Sequence, residues 1–258
     1  MKDITVIIPV LEAQLDSNEL VNAVNSVKEC QKYYNDGKLK VLIVVEKVEN
    51  GFDYTAFDDI KYKYIVNDSG KYDYCSQINF GVKHVDTEYF SILEYDDYYM
   101  KKWFNMFKNY YDTNEDVSVF LPINVLHNAK TNEREFVNDI IWSNGFANQI
   151  GYIDFECLQA TASFNLTGGI FKTKDWLEYN PSISIAFNYD YLLRATSKKQ
   201  KVFVIPKEGY HHELFNKGSL SEYYMNNVTN DENIKLFEQT KKEYTVNNNN
   251  NISEEDED

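Results

Sequence analysis

Apolar positions in the first hundred residues follow two rhythms in turn. Thr5-Val6-Ile7-Ile8-Pro9 is a continuous apolar run stopped by proline, and it predicts a strand buried on both faces. Leu20, Val21, Val24, Val27 and Cys30 then recur at three- and four-residue steps, the period of an amphipathic helix, with Ser17 or Asn18 placed to cap it. After Gly37 the rhythm reverts. Lys40 to Val45 reads as a second strand ending at Glu46, and Lys61 to Val66 as a third ending at Asn67-Asp68-Ser69-Gly70. A second helix is expected over about Tyr72 to His84, followed by a strand from Glu88 to Leu93. Strand, helix, strand, strand, helix, strand is the signature of an α/β fold with an open, largely parallel sheet flanked by helices.

The second half is less regular. Lys101 to Tyr111 reads as a helix, Val117 to Leu121 as a strand ended by Pro122, and residues 123–165 as helices and loops. Asn165 to Phe171 is expected to be a strand in which Gly168 and Gly169 allow close backbone approach. A helix around Tyr189 to Arg194 and a strand from Val202 to Ile205 follow. The expected division is a domain over 1–222, split into halves 1–100 and 101–222, then a C-terminal helix over 223–246 and a disordered acidic tail over 247–258.

Polar groups collect at the C-terminal ends of the strands: Glu12 beyond the first, then Glu46, Asp68, and Glu94 with Asp96. In open α/β sheets that edge is where ligands bind. Glu94-Tyr95-Asp96-Asp97 puts three carboxylates at the end of an apolar strand, where desolvation is costly unless a cation or water meets them. Oxygen ligands of this kind suit a hard ion such as Mn²⁺ or Mg²⁺, which in turn suits a diphosphate. Neither Gly-x-Gly-x-x-Gly nor Gly-x-x-x-x-Gly-Lys occurs, so glycine loops for holding phosphate are absent. A strand ending in a solvated acidic turn is the competing account.

Composition narrows the partners. At 258 residues, 43% hydrophobic and 16% aromatic, the chain can bury a sizeable core. A net charge of −15 excludes nucleic acid and an anionic membrane surface as partners. Cys30, Cys75 and Cys157 are widely spaced among apolar neighbours and read as core residues. No signal peptide or transmembrane run is expected, and the location is expected to be cytoplasmic.

Val6-Ile7-Ile8-Pro9-Val10-Leu11-Glu12, Glu46, Gln77-Ile78-Asn79-Phe80-Gly81, Glu94-Tyr95-Asp96-Asp97, Thr167-Gly168-Gly169, Asn188 to Arg194, and His212 ahead of Ser219 and Ser221 share an order and spacing. Together they resemble the family 2 glycosyltransferases of GT-A fold, over roughly residues 3–222. The resemblance implies a nucleotide-sugar donor, with a UDP-sugar foremost, and a glycan or other hydroxyl acceptor. It also implies Mn²⁺ or Mg²⁺ on the diphosphate and an inverting displacement. It assigns Asp96 and His212 to the metal, and Pro9, Val10, Glu12, Glu46, Asp68, Asn79, Glu94, Gly168 and Gly169 to the substrate. Glu94 replaces the usual first aspartate, Gln77 an arginine, and Asn188 the catalytic base. An amide cannot accept a proton at neutral pH, which leaves Asp190 as the expected base, against its alternative as an i,i+4 partner of Arg194. Asp97 is expected to do no more than start a helix, and His211 and His84 to be ordinary histidines. The second reading is a GT-A scaffold that binds nucleotide sugar or glycan without efficient transfer. The third is a nucleotidyltransferase, against which the missing phosphate loop counts.

Overall fold

The computed structural model describes residues 2–46, 62–71, 73–128, 130–183, 186–214, 216, 231–232 and 234–242. Gly218-Ser219-Leu220-Ser221, the tail over 247–258 and most of the expected helix over 223–246 lie outside the described residues, although 231–232 and 234–242 are helical. Ten strands join in one sheet: β1 (Ile4–Val10), β2 (Leu39–Val45), β3 (Tyr62–Val66), β4 (Tyr89–Ile92), β5 (Tyr98–Tyr99), β6 (Val117–Asn128), β7 (Glu133–Val137), β8 (Tyr152–Ile153), β9 (Ile170–Lys172) and β10 (Lys201–Leu214). Their order is β3-β2-β1-β4-β9-β6-β10-β5, with β7 on β6 and β8 on β10. β3, β2, β1 and β4 are parallel, as are β6 and β10, while β9 runs antiparallel between β4 and β6. β4, β6 and β10 therefore run the same way.

Alternation along β1 builds two cores. Ile4, Val6, Ile8 and Val10 face one side, where α1 (Asn18–Gln31) and α3 (Trp103–Tyr111) pack, and Ile7 faces the other with α2 (Tyr74–Val82), α4 (Phe155–Ala160) and α5 (Phe187–Ser197). Ser17 caps α1 by accepting from the Leu20 N–H, and Leu20, Ala23, Val24, Val27 and Cys30 form the buried stripe. All three cysteines are free and buried.

Two strands run past prolines, and one of these, Pro122, was expected to end its strand. β6 continues through Pro122 and β10 through Pro206, and the β6–β10 register shifts between Val204 and Glu208, so a bulge absorbs the missing donor. Of 123–165, expected as helices and loops, the first part is instead the continuation of β6, which turns at Asn132 (φ 58°) into the hairpin strand β7. Short helices at Asp139–Trp142 and α4 with loops follow, apart from the two-residue β8. β9 starts only at Ile170, later than expected, and leaves both glycines in the turn before it.

α2 is tied to the far layer by Asn79. Its Nδ2 donates to the Tyr179 carbonyl and its Oδ1 accepts from the Tyr179 N–H, each at 2.8 Å, and the side chain is buried. Both ends of the amide are thus committed to backbone, which corrects its expected place among substrate contacts. Asn79→Ala would leave the Tyr179 N–H and C=O buried without partners, and should cost about 2–6 kcal/mol of stability at about 1–3 per orphaned group. Chemical denaturation should show that loss, with ligand affinity of the folded protein unchanged.

Candidate active site

The turn after β4 and the end of β10 meet at Asp97. Its carboxylate is 1% exposed and satisfied by three donors. Oδ2 accepts from the Tyr210 hydroxyl at 2.8 Å and faces His212 Nδ1 at 2.6 Å, and Oδ1 accepts from the Glu213 N–H at 2.9 Å. Asp97 does not start a helix. It is the anchor joining the acidic turn to the last strand, and its carboxylate oxygens are occupied by protein. The same Tyr210 hydroxyl accepts from the Glu94 N–H at 3.0 Å, so one phenol fixes both ends of the Glu94–Asp97 turn.

Tyr210 is held by glycine. Gly168 has φ +75°, donates its N–H to the Ile92 carbonyl at 3.0 Å, and lies so close to Tyr210 that a Cβ there would sit 2.4 Å from the ring. The Gly169 carbonyl accepts from Ser91 Oγ at 2.6 Å. The close approach read from the paired glycines is therefore real, but its partner is a side chain of the site.

Glu94, Asp97 and His212 place their ligating atoms within 4.8 Å of one another. Burial pushes the Glu94 carboxyl above its ordinary range; His212 opposes this, and Asp97 and Asp96 add to it. Burial, then the Asp97 charge, pushes Asp96 up to about 6. For His212 burial acts downward, but the ion pair with Asp97 and the nearby Glu94 and Asp96 prevail, and its pKa rises to about 10. Three carboxylates around one imidazolium leave an excess of negative charge in a partly desolvated cleft. That excess fits a hard divalent cation, which would displace the Nε2 proton of His212 while Asp97 holds Nδ1, and a carboxylate behind a ligating histidine is a recurrent feature of metal sites. Asp96, half-buried and accepting from Asn216 Nδ2 at 3.3 Å, is more accessible than Asp97.

The other rim residues sort by contact. Glu46 Oε1 accepts from the Glu12 N–H at 3.1 Å, which joins the ends of β2 and β1. Pro9 and Val10 close β1, and the Val10 carbonyl accepts from Gln77 Nε2 at 3.2 Å. Asp68 is exposed; the buried residue of its turn is Asn67, which bonds the Lys71 carbonyl and Ser69. Asp190 is 2% exposed on α5 and bonded to Arg194 at 2.8–2.9 Å. The i,i+4 pair with Arg194, weighed as the alternative to its expected role as base, is the arrangement the structure contains. Asn188 Oδ1, one residue into the same helix, is buried with no hydrogen-bond partner among the described residues.

The model of the family described as Glycosyl transferase family 2 matches residues 5–166. The chain belongs to glycosyl transferase family 2. No curated protein sequence matches it. Among solved structures, S. aureus TarS 1-349 is similar with TM-score 0.61 and 15% identity, covering 83% of this chain and 60% of that one. TarS 1-349 in complex with UDP-GlcNAc gives TM-score 0.62 and 13% identity over 86% of this chain and 61% of that one, and in complex with UDP 0.58 and 16% over 83% and 61%. The chain thus spans about three fifths of the TarS 1-349 it matches. At these identities the likeness is one of fold, and it matches the GT-A architecture expected from the motifs.

Within this family 2 fold the matched span stops short of β10, where Tyr210, His212 and Glu213 lie. Sequence reasoning found His212 but missed Tyr210 and Asp97, because neither a tyrosine among 21 nor the last acid of an acidic run stands out before the chain is folded. Tyr210→Phe should keep the ring packing against Gly168 and remove one donor from Asp97, costing about 1–3 kcal/mol. Gly168→Ala should destabilise by more, since its φ and the ring both oppose a Cβ. Thermal unfolding of both variants checks the ranking.

Proposed function

We propose that this family 2 protein transfers a glycosyl group from a nucleoside-diphosphate sugar, a UDP-sugar foremost, to a hydroxyl acceptor with inversion at the anomeric carbon. The observation that carries the reading is the convergence of Glu94, His212 and the anchoring Asp97 at the carboxyl edge of β4, with half-buried Asp96 in the same acidic turn. The TarS structures with UDP-GlcNAc and UDP support the donor class by analogy of fold. Asp96 and His212 Nε2 are the groups that would hold Mn²⁺ or Mg²⁺, with Glu94 beside them. Such an ion supplies Lewis-acid charge for the departing diphosphate. Glu46 and Glu12, on the neighbouring strand ends, are placed for the base and ribose, and exposed Asp68 flanks them.

In the displacement the acceptor oxygen forms a bond to the anomeric carbon as the bond to the diphosphate oxygen breaks, and the acceptor proton must pass to a base. The family position for that base holds Asn188, whose amide accepts no proton. This observation favours the second reading, a scaffold that binds nucleotide sugar with little transfer. Release of UDP from UDP-sugars with Mn²⁺, measured beside calorimetric binding of UDP, separates them: binding with turnover supports the enzyme, binding without it the scaffold.

Two variants sharpen the assignment. Asp96→Ala should weaken Mn²⁺-dependent UDP binding at least about tenfold, the scale expected when a ligand supporting a metal is lost. Unchanged affinity would remove Asp96 from the metal. Asn188→Asp should raise turnover about 100-fold, the lower range for restoring a positioned base. A rate left at the wild-type value would show that no base acts from this position.

A further inference from the structure

We propose that His127, His211 and Glu213 form a second divalent-metal site, of a chemistry suited to Zn²⁺, on the opposite side of β10 from His212. Two imidazoles converge on one carboxylate there. His127 Nδ1 lies 2.7 Å from Glu213 Oε2 and His211 Nε2 lies 2.8 Å from Oε1, and the three ligating atoms are all within 4.8 Å of one another. His211 was expected to be an ordinary histidine, and His127 carried no motif at all. Folding brings them together because β6 and β10 pair in parallel with Glu213 opposite His127.

Each ring is held from behind. His211 is 3% exposed and stacks on Tyr98, with centroids 4.3 Å apart and planes within 13°. His127 Nε2 lies 3.0 Å from Asn132 Oδ1, at the left-handed turn of the β6–β7 hairpin. Partners that fix ligand orientation in this way are the usual support of a metal site. Tetrahedral zinc, with bonds of about 2.0–2.2 Å, separates its ligand atoms by roughly 3.3–3.5 Å. The present contacts of 2.7 and 2.8 Å need to open by about 0.5–0.8 Å to reach that spacing. His127 and Glu213 are partly exposed, which leaves a fourth direction open to water.

The donor set separates this site from the first. Two imidazoles and one carboxylate are a zinc set, whereas the Glu94 and Asp96 side is richer in oxygen. Arg134, cross-strand from His127, is the adverse charge nearby, and the Asp97 and Glu213 carboxylates oppose it. Because the Glu213 N–H also bonds Asp97, an ion here would cross-link β6 to the segment of β10 that presents His212. The two sites would share a strand and no ligands.

The test uses the full chain stripped with a chelator and titrated with Zn²⁺ against a chromogenic competitor, with Co²⁺ spectra as a second readout. Wild type and Asp96→Ala should each hold one tight equivalent of Zn²⁺. His127→Ala and His127→Gln should weaken it more than about 100-fold, since even partners behind a ligand are worth 10–100-fold. His127→Gln keeps a polar side chain on β6 and serves if the alanine variant does not fold, with circular dichroism confirming the fold. Unchanged Zn²⁺ affinity in a folded His127 variant overturns the proposal. So does a wild type that binds no Zn²⁺ at micromolar concentration and shows no four-coordinate Co²⁺ spectrum. Neither readout depends on sugar transfer.

Discussion

The buried carboxylate of Asp97 is the interaction on which the site depends. A carboxylate that is 1% exposed is tolerated only if its lone pairs are met, and Tyr210, His212 and the Glu213 N–H meet them. Those donors come from a strand more than a hundred residues away, so the contact fixes the acidic turn after β4 against the end of β10. Removing any one donor leaves part of a buried charge unmet. The arrangement therefore specifies one geometry more strictly than apolar packing would, because a small displacement of β10 breaks three bonds together.

The local chemistry of β1, β2, α1 and β4 was legible because each has a strong period and an unambiguous end, such as the Ser17 cap. The rim acids were legible for the same reason, since strand ends locate them. What failed was long-range. Pro122 reads as a strand end, yet a bulge between β6 and β10 accommodates its missing donor and that of Pro206, and that pairing is visible only in three dimensions. Asn79 is a polar residue in a motif position, and nothing local reveals that Tyr179 holds both ends of its amide, whereas the i,i+4 spacing of Asp190 and Arg194 does point to the pair the fold contains. Sequence pattern singled out Glu94, Asp96 and His212 but gave Asp97 no role beyond starting a helix. It did not find Tyr210, which positions two of them.

Alternation on β10 explains how one segment serves two clusters. Tyr210 and His212 direct their side chains to Asp97, and His211 and Glu213, between and beyond them, direct theirs to the His127 side. A one-residue slip of β10 would exchange the two sets and bring His211 to Asp97. Gly168 opposes that slip: its backbone fits against the Tyr210 ring with no room for a Cβ, so the aromatic residue must stay in that place. The register of the last strand is thus set by a glycine and a tyrosine, and the placement of every ionisable group on that strand follows from it.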